Sequence, residues 1–131
     1  MADFHNEILI ESTHKSPLIK GNIKEGTLLI QGKSIPEDAK QFYLPLLSWV
    51  LEFENSPAEK IEVTADLEYF NTSTSSILLS LFKIIEKLND KKPASIKWIF
   101  EEDDLDMEEV GEDYQLMLPN MITMVSKPSP V

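Results

Sequence analysis

Along residues 61–67, Ile61-Glu62-Val63-Thr64-Ala65-Asp66-Leu67, apolar and polar side chains alternate, which is the two-residue period of a strand buried on one face. Residues 95–100 repeat it, with Ile96, Trp98 and Phe100 on one side. Residues 7–11 read as a shorter strand. Residues 17–23 and 27–31 flank Lys24-Glu25-Gly26, a loop whose length and glycine suit a β-hairpin. Residues 32–36 read as a connector, and 121–125 as a last strand. Residues 126–131 contain two prolines and read as a frayed, flexible tail.

Between these runs the period lengthens to that of a helix. Over residues 37–55, Phe42, Leu46, Trp49, Val50 and Phe53 share one side at about 100° per residue, with Ser48 and Glu52 opposite. Pro45 lies inside this pattern and predicts a kink or a restart, because it lacks an N–H and crowds the preceding turn. Residues 77–88 read as a strongly apolar helix, broken at 89–93 by Asn89, Asp90 and Pro93. Residues 101–113 read as a short acidic helix.

Strand, helix, strand, helix, strand from Ile61 onward predicts βαβ units and a partly parallel sheet. The expected fold is α/β: a small mixed β-sheet with an N-terminal antiparallel hairpin and helices packed on it. The chain has 131 residues, which suits a single regulatory α/β domain over 1–125 with a tail at 126–131.

Charge narrows the partners. The chain carries 12 cations, all lysine, against 23 carboxylates, for a net charge of −11. That balance argues against nucleic acid and against an anionic membrane surface. No cysteine is present, which excludes disulfides, thiolate metal sites and a cysteine nucleophile. The N-terminus lacks the basic and apolar regions of a signal peptide, and no apolar run reaches membrane-spanning length. The expected location is cytoplasmic.

Few residues carry candidate chemistry. His5 and His14 have no patterned carboxylate or hydroxyl partners and read as surface histidines. Residues 101–113 hold nine carboxylates, yet an EF-hand register begun at Asp104 places Glu109 where glycine is required. That run reads first as a solvated acidic face. No glycine-rich phosphate loop or glycine-flanked serine elbow occurs, so neither catalysis nor a cofactor is expected.

The hydroxyl-rich segment 71–76, Asn-Thr-Ser-Thr-Ser-Ser, precedes the apolar helix. Capping alone would explain it, since such residues favour helix N-termini. Helical phase adds a distinction. With Ile77 at 0°, the apolar face spans about 340° through 140°, Thr72 falls near 220°, Ser76 near 260° and Thr74 near 60°. Thr72 and Ser76 are therefore the expected accessible hydroxyls, and Thr74 the buried cap. Leu79, near 200°, sits outside the apolar arc beside Thr72 and is a candidate partner contact.

From Tyr69-Phe70-Asn71-Thr72-Ser73 the sequence resembles the SiaC family of bacterial regulatory phosphoproteins. Further similarity lies in Gly32-Lys33-Ser34-Ile35-Pro36-Glu37, in Pro45-Leu46-Leu47-Ser48-Trp49, in Trp98-Ile99-Phe100 with Asp103-Asp104, and in Gly111-Glu112-Asp113-Tyr114. The chain departs from the family pattern at Asp38 and Ser76. The resemblance implies a fold like the anti-sigma-factor antagonists and reversible phosphorylation of Thr72, with Ser76 and Ser73 next in line. It implies a cognate serine/threonine kinase, a metal-dependent phosphatase, and an effector bound in the unphosphorylated state. In the best-known branch that effector is a diguanylate cyclase, within cyclic-di-GMP signalling. Tyr69, Asn71 and Leu79 are the expected partner-binding residues. The competing readings are a structural or adaptor subunit, in which 71–76 is only a cap, and an acidic divalent-metal-binding protein.

Overall fold

In the computed structural model, which describes residues 7–130, the alternating segments form six strands in sequential order across one sheet. Strands β1 (Glu7–Ile10), β2 (Leu18–Asn22) and β3 (Thr27–Ser34) pair antiparallel. β3 then pairs in parallel with β4 (Ile61–Phe70), β4 with β5 (Ala94–Glu101), and β5 with β6 (Ile122–Lys127). The parallel crossovers are α1 (Ala39–Glu52), α2 (Thr72–Leu88) and α3 (Leu105–Met117). Crossovers that always step the same way across a sheet place their helices on one face. Burial agrees: Ile61, Val63, Ala65 and Leu67 of β4 are buried while Glu62 and Glu68 are exposed. The predicted mixed sheet, hairpin and βαβ order are all present.

Trp98 is the centre of the core. It is 1% exposed, its indole N–H donates to the Met107 carbonyl at 2.9 Å, and it meets Phe70, Phe82 and Tyr114 edge-on. One β5 side chain thereby ties β4, α2 and α3 together. Such aromatic pairs contribute about 0.5–1.5 kcal/mol each beyond area burial.

Several boundaries differ from expectation for local reasons. α1 runs unbroken through Pro45, followed by one 3-10 turn at Phe53–Asn55. Pro45 lies on the exposed side, so water can take the carbonyl its ring leaves unbonded, and no restart is needed. Residues 32–34 belong to β3 rather than to a connector. α3 begins later and runs further than the acidic segment alone suggests. Residues 126 and 127 are strand, not tail: Lys127 crosses the open sheet face to Asp66 at 2.7 Å, and Gln31 donates to the other Asp66 oxygen at 3.0 Å.

At the end of β4 the register shifts. Gly32 pairs with Leu67, but Lys33 pairs with Tyr69, leaving Glu68 as an extra residue. Gly32 has φ +116°, a region closed to L side chains. The bulge reverses the side-chain parity. Tyr69 therefore points outward, 59% exposed, while Phe70 turns in towards Trp98.

Gly111 gives a direct check on the packing. A Cβ there would lie 2.5 Å from Trp98 Cδ1 and 2.6 Å from Met124 Sδ. Alanine gains about 1 kcal/mol of helix propensity, but overpacking costs about 1–3 kcal/mol. Gly111→Ala is expected to lower stability in urea unfolding, and an unchanged or raised midpoint would contradict this packing.

A candidate switch site at the carboxyl end of the sheet

The carboxyl ends of the parallel strands and the N-termini of all three helices lie at one end of the sheet, where open α/β folds place their ligand crevices. Each helix is opened by an acidic or amide side chain. Asp38 accepts from the Gln41 N–H, Asn71 from the Thr74 N–H and Asp104 from the Met107 N–H. Asp104 is thus a helix cap. Among the described residues no three His, Cys, Asp or Glu side chains gather closely enough to hold a metal ion. His14 is exposed, and His5 lies outside the described residues.

α2 begins five residues before its apolar stretch, so the hydroxyl segment is itself helical. The cap is Asn71 and not Thr74. Asn71 has extended backbone (φ −88°, ψ 172°), and its side-chain oxygen reaches the Thr74 N–H at 2.9 Å. Thr74, facing inward, uses its hydroxyl elsewhere. It donates to the Ser34 carbonyl at 3.1 Å and lies 2.9 Å from Ser34 Oγ, which lies 2.6 Å from the Tyr43 hydroxyl.

One proton arrangement satisfies all three groups. Tyr43 donates to Ser34 Oγ, Ser34 donates to Thr74 Oγ1, and Thr74 donates to the Ser34 carbonyl. That carbonyl also receives the Asn71 N–H at 3.1 Å. Ser34, Tyr43 and Thr74 are each 0% exposed. Burial pushes the Tyr43 phenol up to about 12, against the opposing pull of Ser34, so Tyr43 remains a donor. On the other side, the Tyr114 hydroxyl donates to the Ser75 carbonyl at 2.9 Å, and burial raises its pKa also. β3, α1 and α3 thus all hold the first turn of α2.

Thr72, Ser73 and Ser76 are exposed, as helical phase predicted for Thr72 and Ser76. Tyr69 is exposed two residues before the cap. Asn71 is half-buried, with its side chain committed to capping. Leu79, expected outside the apolar arc, is half-buried and packs against the core, so only part of its side chain is exposed. Sequence reasoning missed Ser34 and Tyr43, which are 40 and 31 positions from Thr74. No short-range pattern joins residues so far apart.

The fold and this site define a two-layer α/β domain that presents a hydroxyl at a rigidly held helix N-terminus. The chain belongs to the SiaC family: the family described as SiaC family regulatory phosphoprotein matches residues 10–127. An uncharacterized protein of Pseudomonas aeruginosa strain UCBPP-PA14 is 26% identical over 116 residues, covering 88% of this chain and 89% of that protein. SiaC of Pseudomonas aeruginosa has the same fold, with TM-score 0.85 at 22% identity over 92% of this chain and 98% of that one. SiaC in the crystal structure of its complex with the diguanylate cyclase SiaD, which it is described as activating, superposes with TM-score 0.86 at 22% identity, over 92% of this chain and 99% of that one.

The hydroxyl cluster yields two checks. Thr74→Val leaves the Ser34 hydroxyl and carbonyl short of partners and is expected to cost about 1–3 kcal/mol in denaturant unfolding. A variant as stable as the parent would show that the cluster does not hold the helix. Because the folded Tyr43 pKa lies above its ordinary value of 10.0, the folded state keeps a proton that the unfolded state releases. Its contribution is complete below pH about 10 and falls away as pH rises to about 12. In Tyr43→Phe this part of the alkaline destabilisation should be absent.

Proposed function

We propose that this chain is a non-catalytic signalling protein whose effector binding is switched by reversible phosphorylation of Thr72. The observation that carries the reading is the exposed Thr72 at the first position of α2, on a turn fixed from three sides. Membership of a family described as regulatory phosphoproteins supports it. A cognate serine/threonine kinase adds the phosphate and a metal-dependent phosphatase removes it. The effector is a diguanylate cyclase, as SiaD is for SiaC, and it binds the unphosphorylated form.

Phosphate adds about −1.5 to −2 charges. The N–H groups and dipole at the start of α2 accommodate it there. The chain has no arginine to fold over the group, so the charge faces outward. The surroundings are already acidic: Glu37 and Asp38 lead into α1, and Glu102, Asp103 and Asp104 lead into α3. A hydrated dianion on this end opposes apolar contact beside Tyr69 and repels an acidic partner. Binding changes while the fold stays.

Thr72→Ala should fold as the parent does and gain no phosphate from the cognate kinase by intact-mass analysis. Thr72→Glu should bind the cyclase at least about tenfold more weakly, or ~1.4 kcal/mol. Full phosphorylation of Thr72→Ala would move the site to Ser76 or Ser73. Equal cyclase binding by parent, Thr72→Glu and phosphorylated protein would leave the segment as a cap in an adaptor subunit.

A further inference from the structure

α3 turns a face of mixed chemistry to solvent. With Leu105 at 0° and about 100° per residue, its outer arc runs from about 340° to 120°, opposite the buried Met107 and Tyr114. The apolar residues on this arc are Leu105, Leu116 and Met117. The others are Asp106, Glu109, Glu112 and Asp113, and every residue of the arc is exposed. Leu116 at 82% and Leu105 at 69% are the most exposed large apolar side chains among the described residues. One exposed leucine needs no explanation. Two on the same line of one helix, with Met117 beside the second, form an apolar face that no other element of the domain covers.

The carboxylates on this face are not explained by the helix itself. Its dipole accounts for the cap Asp104 and for Asp106 and Glu108 in the first turn. Glu112 and Asp113 lie towards the other end, where the dipole favours cations, and the last turn has no basic residue. Glu108 with Glu112, and Glu109 with Asp113, are four apart, a spacing at which like charges destabilise a helix. No internal cation relieves them. The sequence has no lysine between Lys97 and Lys127. Among the described residues the ion pairs join Lys15 to Glu37, Lys60 to Glu62, Lys91 to Glu54 and Lys127 to Asp66, none of them on α3.

Charge therefore names the occupant. A second copy paired about a two-fold axis would set the two acidic faces against each other, which is unfavourable. Nucleic acid is repelled by the same carboxylates. A surface bearing cations around apolar pockets complements both features of the face.

We infer that the outer face of α3 is the docking surface for a basic protein partner, one whose lysines or arginines surround pockets for Leu105, Leu116 and Met117. This rests on the proposed binding function only for the existence of a partner. The carboxylates steer the encounter and fix its orientation, and the apolar side chains supply the buried contact.

The test uses the full chain and a fluorescein-labelled synthetic helix with leucine at heptad positions a and d and lysine at e and g. A second peptide keeps the lysines and carries glutamine at a and d. Fluorescence anisotropy is expected to show saturable binding of the leucine peptide, weakened by salt. The glutamine peptide should bind at least about tenfold more weakly, or ~1.4 kcal/mol. Leu116→Ser, and a double variant Glu109→Gln with Asp113→Asn, should keep the parent's circular dichroism and lose at least as much affinity. Removing the like-charged pair should leave the thermal midpoint of the double variant no lower than the parent's. Glu25→Gln with Glu59→Gln makes the same change in net charge at exposed positions outside α3 and should bind as the parent does.

No saturable binding, equal binding of both peptides, or undiminished binding by either α3 variant would overturn the inference. An equal loss in the Glu25 and Glu59 variant would overturn it too, since net charge alone would then hold the peptide. So would a dimer in sedimentation that Leu116→Ser dissolves, which would assign the face to a second copy. All of these measurements use unphosphorylated protein, so their failure would leave the Thr72 reading standing.

Discussion

The first turn of α2 can present a hydroxyl because hydrogen bonds hold it on three sides. Asn71 closes its N–H end, the Tyr43–Ser34–Thr74 relay ties it to α1 and β3, and Tyr114 holds the Ser75 carbonyl from α3. A helix terminus ordinarily frays, since its first N–H groups have no carbonyl one turn earlier. Here the Thr74 N–H, the Thr74 hydroxyl and the Ser75 carbonyl each have a partner. Unpaired, each would cost about 1–3 kcal/mol. The helix start therefore has one position, and the outward residues Thr72, Ser73 and Ser76 are displayed at fixed angles.

The sheet supports the same end. Its one covered face fills with Trp98, Phe82, Tyr114 and the apolar rows of β3, β4 and β5. The bulge at Glu68 then turns Tyr69 outward and Phe70 inward. Were Glu68 paired in regular register instead, parity would bury Tyr69 on the Leu67 face, and the cap would open beside a different surface. Gly32, at φ +116°, permits the matching bend on β3, which also brings Ser34 under Thr74. One backbone irregularity thus positions an exposed tyrosine and the acceptor of the buried relay together.

Much of this was legible in the sequence, and the exceptions share a cause. Alternation located β4 and β5 because each has one buried face, and the 3.6 period located α2 because its apolar stripe is strong. Phase extrapolated backwards from Ile77 placed Thr72 and Ser76 outside and Thr74 inside, and it holds because α2 keeps its helical geometry back to Thr72, five residues before the apolar stretch. What escaped was long-range. Residues 32–34 looked like a connector because strand propensity says nothing of the β4 partner that completes them. Residues 126 and 127 looked like a tail because Lys127 finds Asp66 only across the folded sheet. Thr74 looked like a cap because Asn71 and a buried serine 40 positions earlier divide its expected role. Thr72 itself was selected from two exposed hydroxyls by family resemblance, not by periodicity.

A phosphate on Thr72, the proposed site, is expected to alter the surface of the domain and leave the first turn of α2 intact. Amide hydrogen exchange, resolved by NMR on unmodified and Thr72-phosphorylated protein, tests it most directly. The expected result is unchanged protection of the Thr74 and Ser75 amides, with chemical-shift changes confined to the exposed residues around Thr72. Loss of protection through that turn, spreading to Tyr43 or Tyr114, would show that the modification unfolds the helix start and that the switch works by disorder.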